Sequence, residues 1–171
     1  AQVQAYAAAD FSSGDQATIE AIQRLLSRTS PLPPYPLVVD LGCGPGNITL
    51  RLAGLFPKAR IIGIDGAESM LAVARERAQQ QQLEISFLCQ TLQEVLRGAL
   101  LEQADLIVSN SLLHHLHQPD LLWRVTRDLA APGCRTLHRD LRRPASDAEI
   151  QQLLLKHLPS APDVLQHDYA A

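Results

Sequence analysis

Cysteine is scarce in this chain, and its few copies lie far apart. Cys43, Cys89 and Cys134 are odd in number, and no two of them form a CxxC motif. A disulfide framework is therefore not expected, and the thiols fit a reducing compartment. The chain also lacks an apolar run approaching the ~20 residues that cross a bilayer, and it lacks the charged, apolar and cleavage regions of a signal peptide. These absences predict a cytoplasmic protein without a membrane span.

The chain also lacks a strong excess of charge of either sign. Its 15 Lys and Arg residues against 18 Asp and Glu residues give a formal net charge of −3. A dedicated nucleic-acid-binding domain usually carries a basic face, so this balance argues against one and leaves room only for a local patch. One segment is locally basic, and there we favour a solvated edge over a site for an anionic substrate. It contains Arg135, His138, Arg139, Arg142 and Arg143.

What the sequence does contain is a regular alternation of short apolar runs and helical segments. The 171 residues, of which 46% are hydrophobic, suit one α/β domain. Alternating strands and helices imply a parallel sheet covered on both faces, so we predict a Rossmann-like, doubly wound, mainly parallel α/β fold. The predicted strands are residues 37–41, 60–65, 85–89, 105–109 and 134–141. The predicted helices are residues 46–56, 67–82, 91–101, 119–130 and 146–157.

The N-terminal part of the chain has a different pattern. Residues 15–28 have the apolar spacing of a helix, and the proline-rich run at 31–36 then interrupts regular structure. We therefore divide the chain into an N-terminal helical lead with a proline-rich linker, residues 1–36, and a Rossmann-like ligand-binding domain, residues 37–171.

A glycine-rich segment joins the first predicted strand to the helix that follows it. Gly42, Gly44 and Gly46 come directly after Asp40 in the run D-L-G-C-G-P-G. Glycines let the backbone turn tightly and approach a ligand closely, and a helix start offers unpaired N–H groups. The dinucleotide fingerprint GxGxxG would place its third glycine at Asn47, so the pattern here is a different one. The acid beside the loop suits a ligand with a cationic amino group better than a pyrophosphate.

A second acid ends the second predicted strand. Asp65 lies 23 residues beyond Gly42, and an acid near that spacing usually accepts hydrogen bonds from ribose hydroxyls. The alternative is a helix N-cap, because Asp is a favoured cap and a helix is predicted to begin here. Met70, on the first turn of that helix, is either a core residue or part of the ligand wall.

Four segments, taken in order, resemble class I S-adenosylmethionine-dependent methyltransferases. They read VVDLGCGPG at 38–46, GID at 63–65, DLIVSNSLLHHL at 105–116 and LAAPG at 129–133. The resemblance implies methyl transfer from S-adenosylmethionine to an unidentified acceptor, most similar to enzymes that act on small molecules. An RNA or protein methyltransferase and a non-catalytic S-adenosylmethionine-binding module stay open as alternatives. The GxGxG spacing argues against a nicotinamide-dependent oxidoreductase.

The resemblance also implies roles for individual residues. Asp40 and the glycine loop would hold the methionine end of the cofactor, and Asp65 would hold the ribose. Gln90 stands where an acid often bonds the adenine amino group, and its amide can both donate and accept. The expected cofactor-binding residues are Asp40, Leu41, Gly42, Cys43, Gly44, Gly46, Asp65, Gly66, Met70, Gln90, Thr91 and Asn110.

The segment after the fourth predicted strand should face the methyl acceptor. Asn110 is a candidate polar group there, and His114 and His115 are candidates for a general base because histidine titrates near neutral pH. A packed or capping histidine is the alternative for each. With His117 they make a cluster of three, but the spacing lacks a carboxylate and matches no zinc pattern, so no metal site is expected. Alignment of the acceptor can supply most of the rate, so no catalytic residue is assigned.

The predicted sheet ends earlier than such domains usually do. Members of this class usually continue for two more strands, whereas the tail at 164–171 is too short to form both. The sequence therefore predicts that the C-terminal strands are missing, either because the chain is truncated or because the domain is unusually small. An open sheet edge would expose unpaired backbone groups and invite self-association. A small-molecule acceptor is the expected partner, with RNA as the alternative.

Overall fold

A computed structural model describes residues 12–99 and 102–141, with isolated positions at 146, 148 and 152. Within these limits, Ser12–Asp140 make up a unit of their own. The predicted helix at 146–157 and the tail behind it lie outside the continuously described residues.

Five parallel strands form one sheet in the described part of the chain. The sheet has the order β3-β2-β1-β4-β5, and every neighbouring pair runs parallel. The chain leaves β1 toward one side of the sheet and returns to the other side at β4, which makes the gap between these two strands the switch point where ligands bind. The predicted Rossmann-like parallel fold is confirmed. The strands are β1 (Leu37–Leu41), β2 (Arg60–Asp65), β3 (Ile85–Cys89), β4 (Ala104–Asn110) and β5 (Ala130–Arg139).

Helices connect the strands and cover both faces of the sheet. None of the described helices combines the length and the apolar character that a membrane span requires. The helices are α1 (Ser12–Leu26), α2 (Asn47–Leu55), α3 (Glu68–Gln80), α4 (Leu92–Glu94) and α5 (Asp120–Leu129). Two short turns complete the set, a π turn at Val95–Ala99 that continues α4 and a 3₁₀ turn at Leu113–His115.

Two hydrophobic clusters lie on opposite faces of the sheet because strand side chains alternate between faces. On one face Val39 and Leu41 of β1 pack with Leu122 of α5. On the other face Val38 packs with Ile22 of α1 and with residues of α2. All of these side chains are fully buried. The proposed division of the chain at residue 36 stays a prediction.

The structure differs from the sequence prediction at two elements. β5 begins at Ala130, directly after α5, although Pro132 had indicated a break. The pairing runs from Ala104 with Ala130 to Leu106 with Arg135, so the extra residues bulge out without ending the strand. The helix predicted at 91–101 is shorter, because Gly98 has a φ of 92° and interrupts it.

Candidate active site

The glycine loop turns between β1 and α2, at the switch point of the sheet. Gly42, Gly44 and Gly46 have φ values of 69°, 52° and 83°, which residues with a side chain rarely adopt. The Gly42 N–H donates to the Ile64 carbonyl at 2.8 Å, which fastens the loop to β2. A Cβ atom on Gly42 would lie 2.6 Å from Cδ1 of Leu112, whereas a Cβ on Gly44 would meet no heavy atom of the described residues within 4 Å. The loop backbone therefore packs against Leu112 at Gly42, while no described side chain covers it at Gly44.

The carboxylate of Asp65, at the end of β2, bonds to both the glycine loop and the turn before α3. Its Oδ2 accepts the Gly44 N–H at 2.8 Å, and its Oδ1 accepts the Ala67 N–H at 2.8 Å. Ala67 is the N-cap position of α3, and no side chain caps that helix. Asp65 is therefore not the cap that the sequence offered as an alternative. Each carboxylate oxygen has a second lone pair with which it can accept a hydrogen bond from a ligand hydroxyl.

Asp40 is a buried acid at the end of β1. Only 1% of it is exposed, and the Thr49 hydroxyl donates to its Oδ2 at 2.6 Å. Burial raises the pKa of Asp40 from 3.8 to about 7, the Thr49 bond opposes that rise, and the charges of Asp65 and Asp15 add to it. Asp15 is buried in α1, with Nε of Arg51 at 4.0 Å from its Oδ2. Asp65 and Asp15 thus both act on Asp40, and a cationic ligand group beside Asp40 would favour its ionised form.

Gln90 is the residue directly after β3, and it lies next to Asp65. Its backbone N–H donates to the Asp65 carbonyl at 2.9 Å. Its side-chain Oε1 is buried and has no hydrogen-bond partner among the described residues. A buried acceptor without a donor costs about 1–3 kcal/mol. The amide oxygen is therefore suited to accept from an amino group of a bound molecule.

The side chain of Thr91 is engaged in a helix cap. Its Oγ1 accepts the Glu94 N–H at 3.3 Å, while the Thr91 N–H donates to Oε2 of Glu94 at 2.7 Å. This is a capping box at the start of α4. Gly66 is exposed, with Cγ2 of Thr91 at 3.6 Å from where its Cβ would be.

Asn110, at the end of β4, belongs to a polar network that includes α1. The hydroxyl of the fully buried Thr18 donates to Oδ1 of Asn110 at 2.8 Å. Nη1 of Arg139 donates to the same hydroxyl oxygen at 2.8 Å and to the Gly14 carbonyl at 2.7 Å. The network fastens α1 across the ends of β4 and β5, which places Asp15 where its charge acts on Asp40.

A histidine and an acid pair at the turn after β4. His114 Nδ1 lies 2.6 Å from Oδ1 of Asp140, and the Leu113 N–H donates to the other carboxylate oxygen at 2.6 Å. The ring of His115 is centred 4.0 Å from that of His114, at 43° to it. Within the part of the chain that the structure describes, no group of three or more metal-ligating side chains is gathered.

The methyltransferase domain family matches residues 38–133 of this chain, and that range includes the glycine loop, Asp65 and the turn after β4. The chain belongs to this family.

Individual relatives agree with the family match. The trans-aconitate 2-methyltransferase of Variovorax paradoxus strain S110 is 39% identical over 138 residues, which cover 74% of this chain and 50% of that protein. The ubiquinone biosynthesis O-methyltransferase of Ruegeria pomeroyi is 31% identical over 126 residues, covering 71% of this chain and 49% of that protein. The chain spans about half the length of these curated relatives.

A solved structure has the same fold. The plantazolicin methyltransferase BpumL, in complex with a desmethylPZN analog and SAH, superposes with a TM-score of 0.69. At 17% identity, the match covers 97% of this chain and 60% of that one, and it supports the fold alone.

In this methyltransferase domain an arginine missed by the sequence analysis holds the glycine loop. Nη1 of Arg77, on α3, donates to the Pro45 carbonyl at 3.1 Å and to Oδ1 of Asn47 at 2.8 Å. Asn47 occupies the position of the third glycine in the dinucleotide fingerprint, and here its side chain is part of the loop's support. The departure from GxGxxG therefore has a structural role.

The described members of the basic segment do not form one patch. Nη1 of Arg135 donates to the Gly133 carbonyl at 2.7 Å, and its Nη2 contacts the Ser30 carbonyl. Arg139 lies four residues further along β5, about 13 Å away in an extended strand. His138 lies between Ser109 and Thr126, and burial lowers its pKa. Residues 142–143 lie outside the described positions.

The expected cofactor residues of the domain fall into two groups. Asp40, Asp65, Gln90 and the glycine loop meet at the carboxyl ends of β1, β2 and β3. Two others lie beneath that surface. Leu41 is fully buried in the core, and the thiol of Cys43 is buried with a raised pKa. Met70 is half-buried on α3.

Besides Arg77, three residues of the cofactor site were not predicted from the sequence. Asp15 and Thr18 belong to α1 and have no local motif, and Thr49 is a common residue on the first turn of a helix. The one available signal was the spacing of Thr49 from Asp40, since a strand followed by a tight loop and a helix brings those positions together.

Proposed function

We propose that this chain binds S-adenosylmethionine and transfers its methyl group to a small-molecule acceptor. The observation that carries the proposal is the pair of acids beside the glycine loop, Asp40 buried at the end of β1 and Asp65 bonded to the Gly44 N–H. S-adenosylmethionine carries positive charge on its sulfonium and on its amino group, so an acidic site is complementary to it. Family membership supports the same reaction, and relatives named for trans-aconitate and for ubiquinone biosynthesis support a small acceptor.

The residues at the site fit the parts of this cofactor. Asp40 and the backbone of the glycine loop suit the methionine amino group and carboxylate. The remaining lone pairs of the Asp65 carboxylate suit the ribose hydroxyls. The unpartnered Oε1 of Gln90 suits the adenine amino group, because a donor there would satisfy an atom that the protein itself leaves unpaired.

The chemistry asks little of the protein beyond placement. When bound, the cofactor supplies a methyl group on a sulfonium, which is already a strong electrophile. The domain's residues hold the two reactants in line and keep water out, and such alignment can supply about 7–11 kcal/mol of the barrier. We propose that Asn110, which is half-buried after β4, orients the acceptor.

Calorimetric titration of the full chain with S-adenosylhomocysteine tests the proposal. The Asp65→Ala variant removes the acceptors for ribose hydroxyls and loosens the loop at Gly44, so its dissociation constant should rise at least tenfold. Asp128→Ala, an exposed acid on α5, is the matched control and should bind like the wild type. NAD should not bind.

Two outcomes would contradict the proposed cofactor. A folded wild-type chain that does not bind S-adenosylhomocysteine would do so, as would equal affinity in the Asp65→Ala variant. Cofactor binding without methyl transfer to any acceptor would instead favour a non-catalytic binding module.

Self-association, the alternative acceptor and the cellular location are also proposals. β5 ends the described sheet on one side, and an exposed edge offers backbone groups to a second copy, which sedimentation at several concentrations would detect. RNA is the alternative acceptor, and competition by RNA in the methyl-transfer assay would distinguish it from a small molecule. The free thiols of Cys43, Cys89 and Cys134 support a reducing, cytoplasmic location.

A further inference from the structure

We infer that His114 is the general base of this methyltransferase, that Asp140 is its positioning residue, and that the acceptor is a hydroxyl compound rather than a carboxylate. The inference rests on the proposed function. It starts from the pairing of His114 and Asp140 at the turn after β4, which cofactor binding does not require.

The hydrogen bonds of the pair fix which ring nitrogen of His114 can act. The 2.6 Å contact joins Nδ1 to a carboxylate oxygen, and a carboxylate accepts without donating, so Nδ1 carries the proton. The other oxygen of Asp140 accepts the Leu113 N–H, so the carboxylate is itself held in place. In neutral His114 the basic lone pair is therefore on Nε2.

Nε2 of His114 is available to a ligand. It has no hydrogen bond within the described part of the chain, and 27% of the side chain's surface is accessible to solvent. His138 presents a contrast, because both of its ring nitrogens lie against hydroxyl groups, at 2.8 Å from Ser109 and 3.2 Å from Thr126. Of these two histidines on neighbouring elements, His114 is the one with a ring nitrogen that no hydroxyl of the described residues contacts.

The turn that carries His114 borders the cofactor loop. Leu112 packs so closely on Gly42 that a Cβ there would lie 2.6 Å from its Cδ1. The turn follows β4, which pairs with β1, so it lies at the switch point. Its path is fixed by the Ser111 N–H, which donates to the Arg139 carbonyl at 2.9 Å. His114 is thus two residues from the contact that closes the glycine loop.

The acceptor class follows from what a base can contribute. A carboxylic acid with an ordinary pKa of about 4 is already ionised at neutral pH, whereas a phenol near 10 keeps its proton. A base contributes only where the acceptor atom must lose a proton. Nε2 takes the hydroxyl proton, the acceptor oxygen forms its bond to the methyl carbon, and the S–C bond breaks with its electron pair left on sulfur. His114 becomes an imidazolium and then releases the proton to water.

Nitrogen NMR of the unliganded chain tests the geometry without turnover. Neutral His114 should be in the Nδ1–H form in the wild type, and Asp140→Asn should abolish that preference. A neutral ring in the Nε2–H form would overturn the inference. The titratable groups shown beside His114 are Asp140 and His115, and a His114→Gln sample identifies the His114 signals by their loss.

Methyl transfer from labelled S-adenosylmethionine tests the chemistry. The acceptors are a set of phenols of graded acidity, with trans-aconitate as the carboxylate comparison. We expect transfer to phenols, and a decrease of about 10²–10⁴-fold in kcat for His114→Gln. His117→Gln, at an exposed position of the same loop, should match the wild type. Asp140→Asn should lower kcat at least tenfold, because the ring loses the acceptor that fixes its tautomer.

Binding of S-adenosylhomocysteine distinguishes a failure of this inference from a failure of the proposed function. S-adenosylhomocysteine should bind His114→Gln within about twofold of the wild type. If the wild type binds S-adenosylhomocysteine, this inference would be overturned by any of three results, and cofactor binding would still stand. The three results are transfer to trans-aconitate alone, no transfer to any phenol, and full activity in His114→Gln. A wild-type chain that does not bind S-adenosylhomocysteine would overturn both.

Discussion

Oδ2 of Asp65 accepts the backbone N–H of Gly44 at 2.8 Å, so the acid that ends β2 shapes the loop that follows β1. One residue thereby has two tasks, since the same carboxylate is proposed to hold the ribose. The loop is shaped from three other directions as well, by Ile64, Arg77 and Leu112. Substitutions can distinguish the contacts that shape the loop from direct contacts with the cofactor.

Gly42→Ala should destabilise the fold by about 1–3 kcal/mol, because the new Cβ meets Leu112 in a backbone conformation that alanine rarely adopts. Leu112→Ala should cost less in the Gly42→Ala background than in the wild type, since the clash is with that side chain. Urea denaturation of both single variants and the double variant gives the coupling. Additive effects would show that the loop and the turn after β4 are independent.

Asp40 should make the fold less stable as the pH rises. Its pKa of about 7 in the folded state lies above the ordinary 3.8, so the folded state holds the proton more tightly between those values. The resulting stabilisation is fully present below pH 3.8 and is lost as the pH rises through about 7, a change of about 4 kcal/mol. Asp40→Asn should lack this component in urea denaturation at pH 5 and pH 8.

Asp40→Asn should also change how cofactor binding depends on pH. Binding is favoured by the ionised form of Asp40, whereas folding is favoured by the protonated form. Ionised Asp40 attracts a cationic amino group, so wild-type affinity for S-adenosylhomocysteine should increase with pH through about 7. Asp40→Asn should bind more weakly and with a flatter profile. Asp128→Asn serves as the control in both measurements, and parallel pH profiles for all three proteins would contradict the role of Asp40.

Gln90→Leu should separate binding from stability. The substitution removes a buried oxygen that has no partner, so the free energy of unfolding should stay the same or rise by about 1 kcal/mol. Affinity for S-adenosylhomocysteine should fall about 5- to 30-fold, because the acceptor for the adenine amino group is lost. Gln93→Leu, at an exposed position on α4, should alter neither quantity in calorimetry. Unchanged affinity in Gln90→Leu would exclude the adenine contact.

Arg77→Met should loosen the glycine loop while preserving the packing of the side chain's stem. Losing the bonds to Pro45 and Asn47 should speed hydrogen exchange of the loop amides and weaken S-adenosylhomocysteine binding about tenfold. Arg124→Met, on the exposed face of α5, is the matched control. If loop exchange is unchanged, Asp65 and Ile64 hold the loop without help from Arg77.

The sequence was most informative where local chemistry decides the structure. β1, β2 and β3 have the predicted bounds, because short apolar runs ended by glycine or a polar residue favour strands, although β3 at the sheet edge is only partly buried. It was less informative at β5, where Pro132 and Gly133 indicate the end of a helix yet stand within a bulge. Pairing with β4 overrides that local signal.

The same distinction applies to the site. Asp40, Asp65 and the glycines come directly after strands, and parallel strands bring such positions to one edge. Asp15 and Thr18 join them only through tertiary packing of α1. The partner of His114 is 26 residues away, and no pattern in one sequence connects the two.

The bond between Arg139 and the Gly14 carbonyl joins positions 125 residues apart. α1 is synthesised before any strand, yet its fastening depends on the last strand of the described sheet. During translation, therefore, the glycine loop and both of its neighbouring acids leave the ribosome well before Arg139 can bond to α1. Long-range closure of this kind is slow relative to local folding. The polar anchor of α1 therefore cannot form until β5 has been made, whereas the packing of α1 on Val38 and α2 needs only earlier parts of the chain.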